Sequence, residues 1–402
     1  MKGVGMISEA DVRGRTVLVR VDLNAPIRDG VVSDETRIAR VAPGIAELAA
    51  RGAKVVVLSH LGRPKGQRLA EATLRPVAEV LERHLGRQVV FAGDCVGAEA
   101  EAVVGSLADG EVAMLENLRF HAGEEKGDPE FVRQLAKLGD IYVNDAFSAA
   151  HRAHASIAGL AALLPAFAGP TMAAELCALE AALECPKRPT AALVGGAKIS
   201  SKIAVIENLL SRMDRLIIGG GMANTFLLAE GHGIGTSLVE HDMVAVAERI
   251  LAKARDANVE IILPVDVVVA EAFAANAPHA LLPVDAVPES GMILDVGPAS
   301  VARISEALAN SATLLWNGPL GAFELAPFGT GTFEVARAAA DLVTAGRLVA
   351  VAGGGDTVAA LNGAGVTERF TYVSTAGGAF LEWLEGREMP GVAALKQTVA
   401  TT

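Results

Sequence analysis

The chain has 402 residues, 51% of them hydrophobic and 20% charged, enough for two or three domains with sizeable cores and too apolar for a disordered polymer. Its formal charge of −12 argues against a general nucleic-acid binder. The charge is uneven: residues 1–170 carry 20 Lys and Arg against 22 Asp and Glu, whereas residues 171–402 carry 15 against 25.

Taken in chain order, short Val/Ile/Leu runs alternate with longer Ala/Leu/Glu/Arg stretches of helical period. The first run is Thr16–Asp22, followed by a helix over Asp34–Arg51, then Lys54–Ser59, a helix near Leu74–Leu85, Gln88–Ala92, Val112–Glu116, a helix near Pro129–Leu138, and Ile141–Asp145. The pattern restarts with Thr190–Val194, a helix from Ile199, Arg215–Ile218, a helix from Met222, another over Asp242–Ala257, and Val259–Leu263. Met292–Val296, Thr313–Trp316 and Arg347–Ala352 are further strand candidates, each trailed by a helical stretch. Uniformly apolar strands spaced by helices imply parallel sheets covered on both faces, here as two successive doubly wound domains. The break between them is expected in Leu163–Pro170, with a connecting helix behind it.

Cys95, Cys177 and Cys185 are odd in number and lack CxxC spacing, so neither a disulfide framework nor a zinc site is implied and a reducing interior is expected. The first residues contain no apolar signal core, and no run of about 18 apolar residues suggests a membrane span.

Open α/β sheets bind ligands beyond the carboxyl ends of their strands, so the loops there are where chemistry is sought. In the N-terminal half these loops hold Asp22 and Asn24, then Ser59-His60-Leu61-Gly62-Arg63-Pro64, then Glu116-Asn117-Leu118-Arg119-Phe120-His121, and after Asn144-Asp145 the stretch Ala150-His151-Arg152-Ala153-His154. Asp22 and Asn24 read equally as an Asx turn or as ligand contacts. Three of four strand ends deliver an Arg beside a His or Asn, and Arg37 lies just behind the first loop. Several guanidiniums in one cleft need an anion, and a small phosphorylated acid meets that need.

The C-terminal half carries glycine turns instead. Gly195-Gly196-Ala197-Lys198-Ile199-Ser200-Ser201-Lys202 and Gly353-Gly354-Gly355-Asp356-Thr357 each follow a strand and open a helix, offering bare amides and lysines to phosphate and an aspartate to Mg²⁺. Ser374-Thr375-Ala376-Gly377-Gly378 repeats the theme, and Trp316–Glu324 adds an amide and a carboxylate at another strand end. Gly219–Gly221 reads as packing at a helix start. Neither a Walker A loop nor GxGxxG occurs, which weighs against a P-loop and against a nicotinamide dehydrogenase, while a Mg-nucleotide fits. A non-catalytic anion-binding scaffold is the other alternative, and only turnover separates it.

These segments, taken as a series, resemble the phosphoglycerate kinase family. RVDLNAP, the stretch from Asp34 to Arg40, SHLGRPKG, LENLRFH, NDAFSAAHRAHAS, GGAKISSKI, WNGPLGAFE, GGGDTVA and STAGGAFLEWLEG occur in that family's order from Arg20 to Gly386. The resemblance implies two Rossmann-like domains closing over a cleft: residues 1–170 for phosphoglycerate, a connecting helix over 171–187, residues 188–387 for nucleotide, and a C-terminal segment over 388–402 returning to the first domain. It implies Mg-dependent transfer of a phosphoryl group between 1,3-bisphosphoglycerate and ADP, giving 3-phosphoglycerate and ATP in glycolysis, in a cytoplasmic monomer with no nucleic-acid or membrane partner.

Matched residue by residue, the family's acid contacts fall on Asp22, Asn24, Arg37, His60, Arg63, Arg119 and Arg152, with His151 nearby. Its nucleotide contacts fall on Ala197, Lys198, Lys202, Gly291, Asn317, Pro319, Glu324 and Gly354 to Thr357, including Gly355 and Asp356, the latter also the expected Mg²⁺ ligand. Arg37, Lys198, Gly377 and Gly378 are expected to act on the transferring phosphoryl group. One departure is visible: many members have Gly-Thr before Ala-His-Arg, where this chain has Ser148-Ala149.

Overall fold

A computed structural model of the protein describes residues 3–397. The chain divides into two units: the residues up to Cys177 with the C-terminal segment from Glu388, and Ala178–Arg387.

Unit 1 is built on six strands, β1 (Thr16–Val21), β2 (Lys54–Leu58), β3 (Val89–Ala92), β4 (Val112–Leu115), β5 (Ile141–Asp145) and β6 (Ala166–Ala168). Their spatial order is β3-β4-β2-β1-β5-β6, and every pairing is parallel. β1 lies inside the sheet, with Val19 in register with Val57 of β2 and Val143 of β5. Its run TVLVRV is buried at all but the first position, as a strand covered on both faces must be. Helix Thr36–Ala50 turns Ile38, Val41 and Ile45 into the core, and helix Arg75–Leu85 adds Val77 and Leu81. The helical stripe and the continuous strand run are thus two halves of one buried surface. The chain leaves β1 for β2 on one side and returns with β5 on the other. That reversal opens a crevice at the carboxyl ends, where the loops after Val21, Leu58, Leu115 and Asp145 gather.

Unit 2 contains β7 (Thr190–Val194), β8 (Arg215–Ile218), β9 (Glu260–Ile262), β10 (Asp266–Ala270), β11 (His279–Pro283), β12 (Met292–Val296), β13 (Thr313–Asn317), β14 (Val349–Gly353) and β15 (Tyr372–Ser374). The main sheet runs β9-β8-β7-β13-β14-β15, all parallel, so both units have the doubly wound form expected from the apolar runs. The fully buried Trp316 of β13 packs with Leu193, Leu314 and Ala352 in its core.

Two expectations are corrected. Met292–Val296 is not part of the main sheet; it pairs antiparallel with β10, which also pairs with β11, in a separate three-stranded sheet. β11 is largely exposed, so its pattern lacks the apolar run that marks the other strands. The segment Leu163–Pro170 is not an inter-domain break, because Ala166–Ala168 forms the edge strand β6, too short and small-sided to announce itself between two prolines. The division falls between Cys177 and Ala178, just before the end of helix Pro170–Leu179.

Helix Pro390–Gln397 belongs to unit 1, where Gly391 N–H donates to the Ala150 carbonyl at 2.8 Å. Among the described residues no helix is long and apolar enough to cross a membrane.

Candidate active site

In unit 1 the loop after β1 forms an Asx turn, the Asp22 carboxylate accepting Asn24 N–H at 3.1 Å. The two residues also reach outward. Asn24 Oδ1 takes Gly62 N–H at 2.9 Å, tying the first loop to the second, while Asp22 pairs with the Arg37 guanidinium and accepts the Ser148 hydroxyl. Burial alone would raise the Asp22 pKa, but Arg37, His60 and Ser148 overcome it and hold the carboxyl at about 2. The departure from the family pattern at Ser148 therefore supplies a hydrogen bond rather than merely altering the loop.

His60 is buried at the end of β2, with Nδ1 3.0 Å from Arg20 Nη2. Burial, then Arg20, Arg119 and Arg152, push its pKa well below the ordinary histidine value, against the single opposing pull of Asp22. Arg119 is buried too, its Nη1 donating to the Gly62 carbonyl at 2.7 Å, and Arg152 Nε lies 3.1 Å from His151 Nε2. His154, held at about 4 by burial and by Arg119, Arg152 and Arg20, completes the group. Arg63 stands exposed on the Gly62–Pro64 turn. The structure thus brings Asp22, Asn24, Arg37, His60, Arg119, His151 and Arg152 to one end of the sheet. A concentration of cations this dense is suited to a small polyanion.

Arg20 opens the RVDLNAP segment, yet the sequence reading gave it no role. It sits on β1 with 1% of its surface exposed, Nε donating to Ser156 Oγ at 2.9 Å. An Arg inside a strand covered on both faces is itself a signal, since a buried charge needs partners. Ser156 and the fully buried Glu124 gave no such signal, Ser156 lying in the short helical segment Ala155–Gly159 and Glu124 beside Glu125 in an ordinary charged stretch.

In unit 2 two adjoining cavities share Gly196, Ala197, Pro319 and Asp356. One, of about 270 Å³, has apolar walls from Leu238, Phe273, Met292, Leu294 and Leu320, with Glu324 among its lining. The other, of about 400 Å³, is lined by Lys202, Asn317, Gly354, Gly355, Thr357 and the Gly377–Gly378 turn. An apolar slot beside an amide-rich, cationic recess matches a base with its phosphates.

Asn317 organises the recess: its Nδ2 donates to the Gly353 carbonyl at 2.7 Å and its Oδ1 receives the Lys202 ammonium. Burial lowers the Lys202 pKa, and Asp356 and Glu385 oppose that shift. Thr357 Oγ1 accepts Gly318 N–H at 2.7 Å. Gly354 caps helix Gly355–Ala364 with φ +101°, and an added Cβ would lie 2.7 Å from Asn317 Nδ2. Asp356 is exposed in the first turn of that helix, free on its solvent side to bind a hard cation.

Two expected contact residues line neither cavity. Lys198 is exposed and does not line either cavity; its neighbour is Glu240, which accepts Ser200 N–H at 2.9 Å and the Ser200 hydroxyl at 2.6 Å. Gly291 sits behind the apolar wall with its carbonyl accepting Thr236 N–H at 2.8 Å, and it is Met292 and Ile293 that face the cavity. Gly219–Gly221, read as packing, does pack, an added Cβ at Gly220 falling 2.6 Å from the Gly196 carbonyl oxygen. Gly220 and Gly221 line the apolar cavity as well.

Asp94, Cys95 and His121 bring three metal-ligand atoms within 4.8 Å. Asp94 is already engaged by Arg68 at 2.7 Å and His121 at 2.7 Å, and burial pushes the Cys95 thiol far above its usual pKa, so the cluster is internally satisfied.

The family model described as Phosphoglycerate kinase matches residues 7–387. A phosphoglycerate kinase from Bradyrhizobium diazoefficiens is 59% identical over 390 residues, 97% of this chain and 98% of the relative. One from Methylobacterium radiotolerans is 60% identical over 385 residues, 96% of each chain. Among solved structures, phosphoglycerate kinase from Coxiella burnetii superposes with a TM-score of 0.93 at 40% identity, covering 99% of this chain and 100% of that one. The Pyrococcus horikoshii OT3 enzyme gives 0.80 at 33% identity, covering 98% and 99%.

Proposed function

The chain belongs to the phosphoglycerate kinase family, and from that premise we propose that it is a phosphotransferase moving a phosphoryl group between 1,3-bisphosphoglycerate and ADP, giving 3-phosphoglycerate and ATP. The observation that carries the reading is the polar recess of unit 2, where Lys202, Asn317 and the Gly354–Thr357 helix start adjoin an apolar slot.

Unit 1 holds the acid, with Arg63 and Arg119 on its distal phosphate and Asp22, Asn24, His60, His151 and Arg152 around the remainder. Unit 2 holds the nucleotide through Ala197, Lys202, Asn317, Pro319, Glu324 and the Gly354–Thr357 turn, with Gly291 and Lys198 carried over from the family. Asp356 is the residue to hold Mg²⁺: an exposed carboxylate beside a phosphate-binding helix start offers the hard oxygen that ion prefers. Mg²⁺, when bound with the nucleotide, neutralises charge on its phosphate oxygens.

In the ATP-consuming direction the nucleophile is the acid's own carboxylate, deprotonated at neutral pH, so no general base is required. The protein's part is positioning and charge stabilisation: Arg37 and Lys198 on the transferring group, with amides at Gly377 and Gly378. Both ligands must meet in a dry site, so closure of the two units is part of the proposal. A cytoplasmic monomer acting in glycolysis is the setting that the family membership suggests.

The test is an assay with Mg-ATP and 3-phosphoglycerate, trapping the acyl phosphate with hydroxylamine. Product requiring protein, nucleotide, Mg²⁺ and acid together is expected. Folded protein that yields none would leave an anion-binding scaffold.

A further inference from the structure

Behind the acid-binding loops a chain of buried groups runs from Glu124 to His60. Arg20 Nη2 lies 3.0 Å from His60 Nδ1, and Arg20 Nε donates to Ser156 Oγ at 2.9 Å. Ser156 Oγ in turn donates to Glu124 Oε1 at 2.5 Å, while Ser156 N–H donates to Glu124 Oε2 at 2.9 Å. The Tyr142 hydroxyl closes on the Ser156 carbonyl at 2.6 Å. Arg20, Glu124, Ser156 and Tyr142 have at most 1% of their surface exposed.

The direction of every bond is forced. A guanidinium has only donors, so His60 Nδ1 must present its lone pair and Ser156 Oγ must accept. The Ser156 hydrogen then has only Glu124 to go to. Both Glu124 oxygens accept from Ser156, and burial, which raises the Glu124 pKa, is opposed by Arg20 across one hydroxyl and by the two Ser156 bonds. A neutral imidazole with an unprotonated Nδ1 carries its hydrogen on Nε2. The charged groups around His60 are Arg20, Arg119, Arg152 and Asp22, three cations against one anion, which disfavours a second proton on the ring.

We propose that Glu124 and Ser156 are positioning residues that, through Arg20, lock His60 as the neutral Nε2–H tautomer, a fixed hydrogen-bond donor for the phosphorylated acid. The consequence for ligand binding rests on the reading of unit 1 given above; the tautomer does not. Such a donor keeps its hydrogen bond across neutral pH, whereas a histidine with ordinary titration would change its charge there.

The test uses the full-length protein with ¹⁵N-labelled histidine, recording long-range ¹H–¹⁵N spectra between about pH 5.5 and 8, the titration range of a free imidazole. His60, assigned by the signals lost in His60→Gln, is expected to show Nε2 protonated and Nδ1 bare throughout. In Glu124→Gln the signals should move toward a mixture of tautomers. The KM for 3-phosphoglycerate should rise about tenfold, the weight of one charge-assisted hydrogen bond, with kcat changing less. A wild-type His60 protonated on Nδ1, or titrating near pH 6.5, overturns the proposal. So does a folded Glu124→Gln with unchanged His60 signals and KM. If that variant fails to fold, Ser156→Ala offers the same readouts, and the wild-type spectrum decides by itself. A wild type without turnover, but with the expected spectrum, would count against the kinase reading and not against the tautomer.

Discussion

Ser148 donates its hydroxyl to the same Asp22 oxygen that pairs with Arg37. The carboxylate therefore holds two partners from different loops, and its pKa of about 2 reflects both, together with His60, against the opposing effect of burial. Ser148→Ala removes one of the stabilising contacts, so the Asp22 pKa should rise. The pairing with Arg37 is complete above the ordinary carboxyl value near 3.8 and is lost as pH falls through the folded value; in the variant that loss should begin at a higher pH. Carboxyl-detected NMR titration checks this, and an unmoved Asp22 would show that the hydroxyl contributes nothing. A kcat drop of about fivefold, equivalent to about 1 kcal/mol, is expected from the loosened Arg37.

Lys198 offers a sharper decision. It is proposed to act on the transferring phosphoryl group, yet in this structure it stands exposed beside Glu240 and lines neither cavity. If it swings in during catalysis, Lys198→Ala should lower kcat by about a hundredfold, the scale of one lost transition-state contact, with little change in KM for phosphoglycerate. Steady-state kinetics separates this from a merely local role on the 198–202 turn, for which kcat would stay near wild type.

How much of this was legible beforehand follows from what each residue's neighbours in sequence reveal. The parallel strands were readable because burial on both faces demands unbroken apolar runs, as in TVLVRV and VVVL. β11 was not, because HALLP is largely exposed and held by pairing to β10. β6 was missed because Ala166, Phe167 and Ala168 make too short a run to stand out between Pro165 and Pro170. Asp22, Asn24, His60 and Arg119 could be singled out because strand-end loops concentrate polar chemistry. Glu124 and Ser156 were invisible, since their roles depend on reaching Arg20 from distant points in the chain, and no local pattern encodes that contact.

Gly354 tests the recess through its backbone. Its φ of +101° is poorly accessible to residues with a side chain, and a Cβ there would press within 2.7 Å of Asn317 Nδ2. Gly354→Ala should destabilise the protein by about 1–3 kcal/mol, the range for a strained backbone residue. It should also weaken Mg-ADP binding, because Asn317 holds Lys202. Thermal unfolding and calorimetry with Mg-ADP provide the two readouts. Unchanged nucleotide affinity in a destabilised variant would remove Asn317 from the binding argument.

Asn317→Ala addresses the same contact from the other side. It takes away the acceptor for Lys202 and the donor to the Gly353 carbonyl, so nucleotide KM should rise about tenfold while acid KM stays put. A parallel rise in acid KM would indicate that the side chain supports the whole fold of unit 2 rather than its recess.

Two histidines make unit 1 sensitive to mild acid. His154 is held at about 4 by burial and by Arg119, Arg152 and Arg20, and His60 lies well below its ordinary value for related reasons. In the unfolded chain both titrate near 6.5. Between pH 6.5 and 4 the unfolded state therefore binds more protons than the folded one, so stability falls as pH falls through that window, and the His154 contribution is fully lost below about 4. Thermal midpoints measured from pH 7 down to about 4.5 should decline more steeply than in His154→Gln, which cannot take up the proton. Parallel curves for the two proteins would mean that His154 is already charged in the folded state. Anions that neutralise the surrounding arginines should raise both histidine pKa values and shallow the decline, and added phosphate provides the probe.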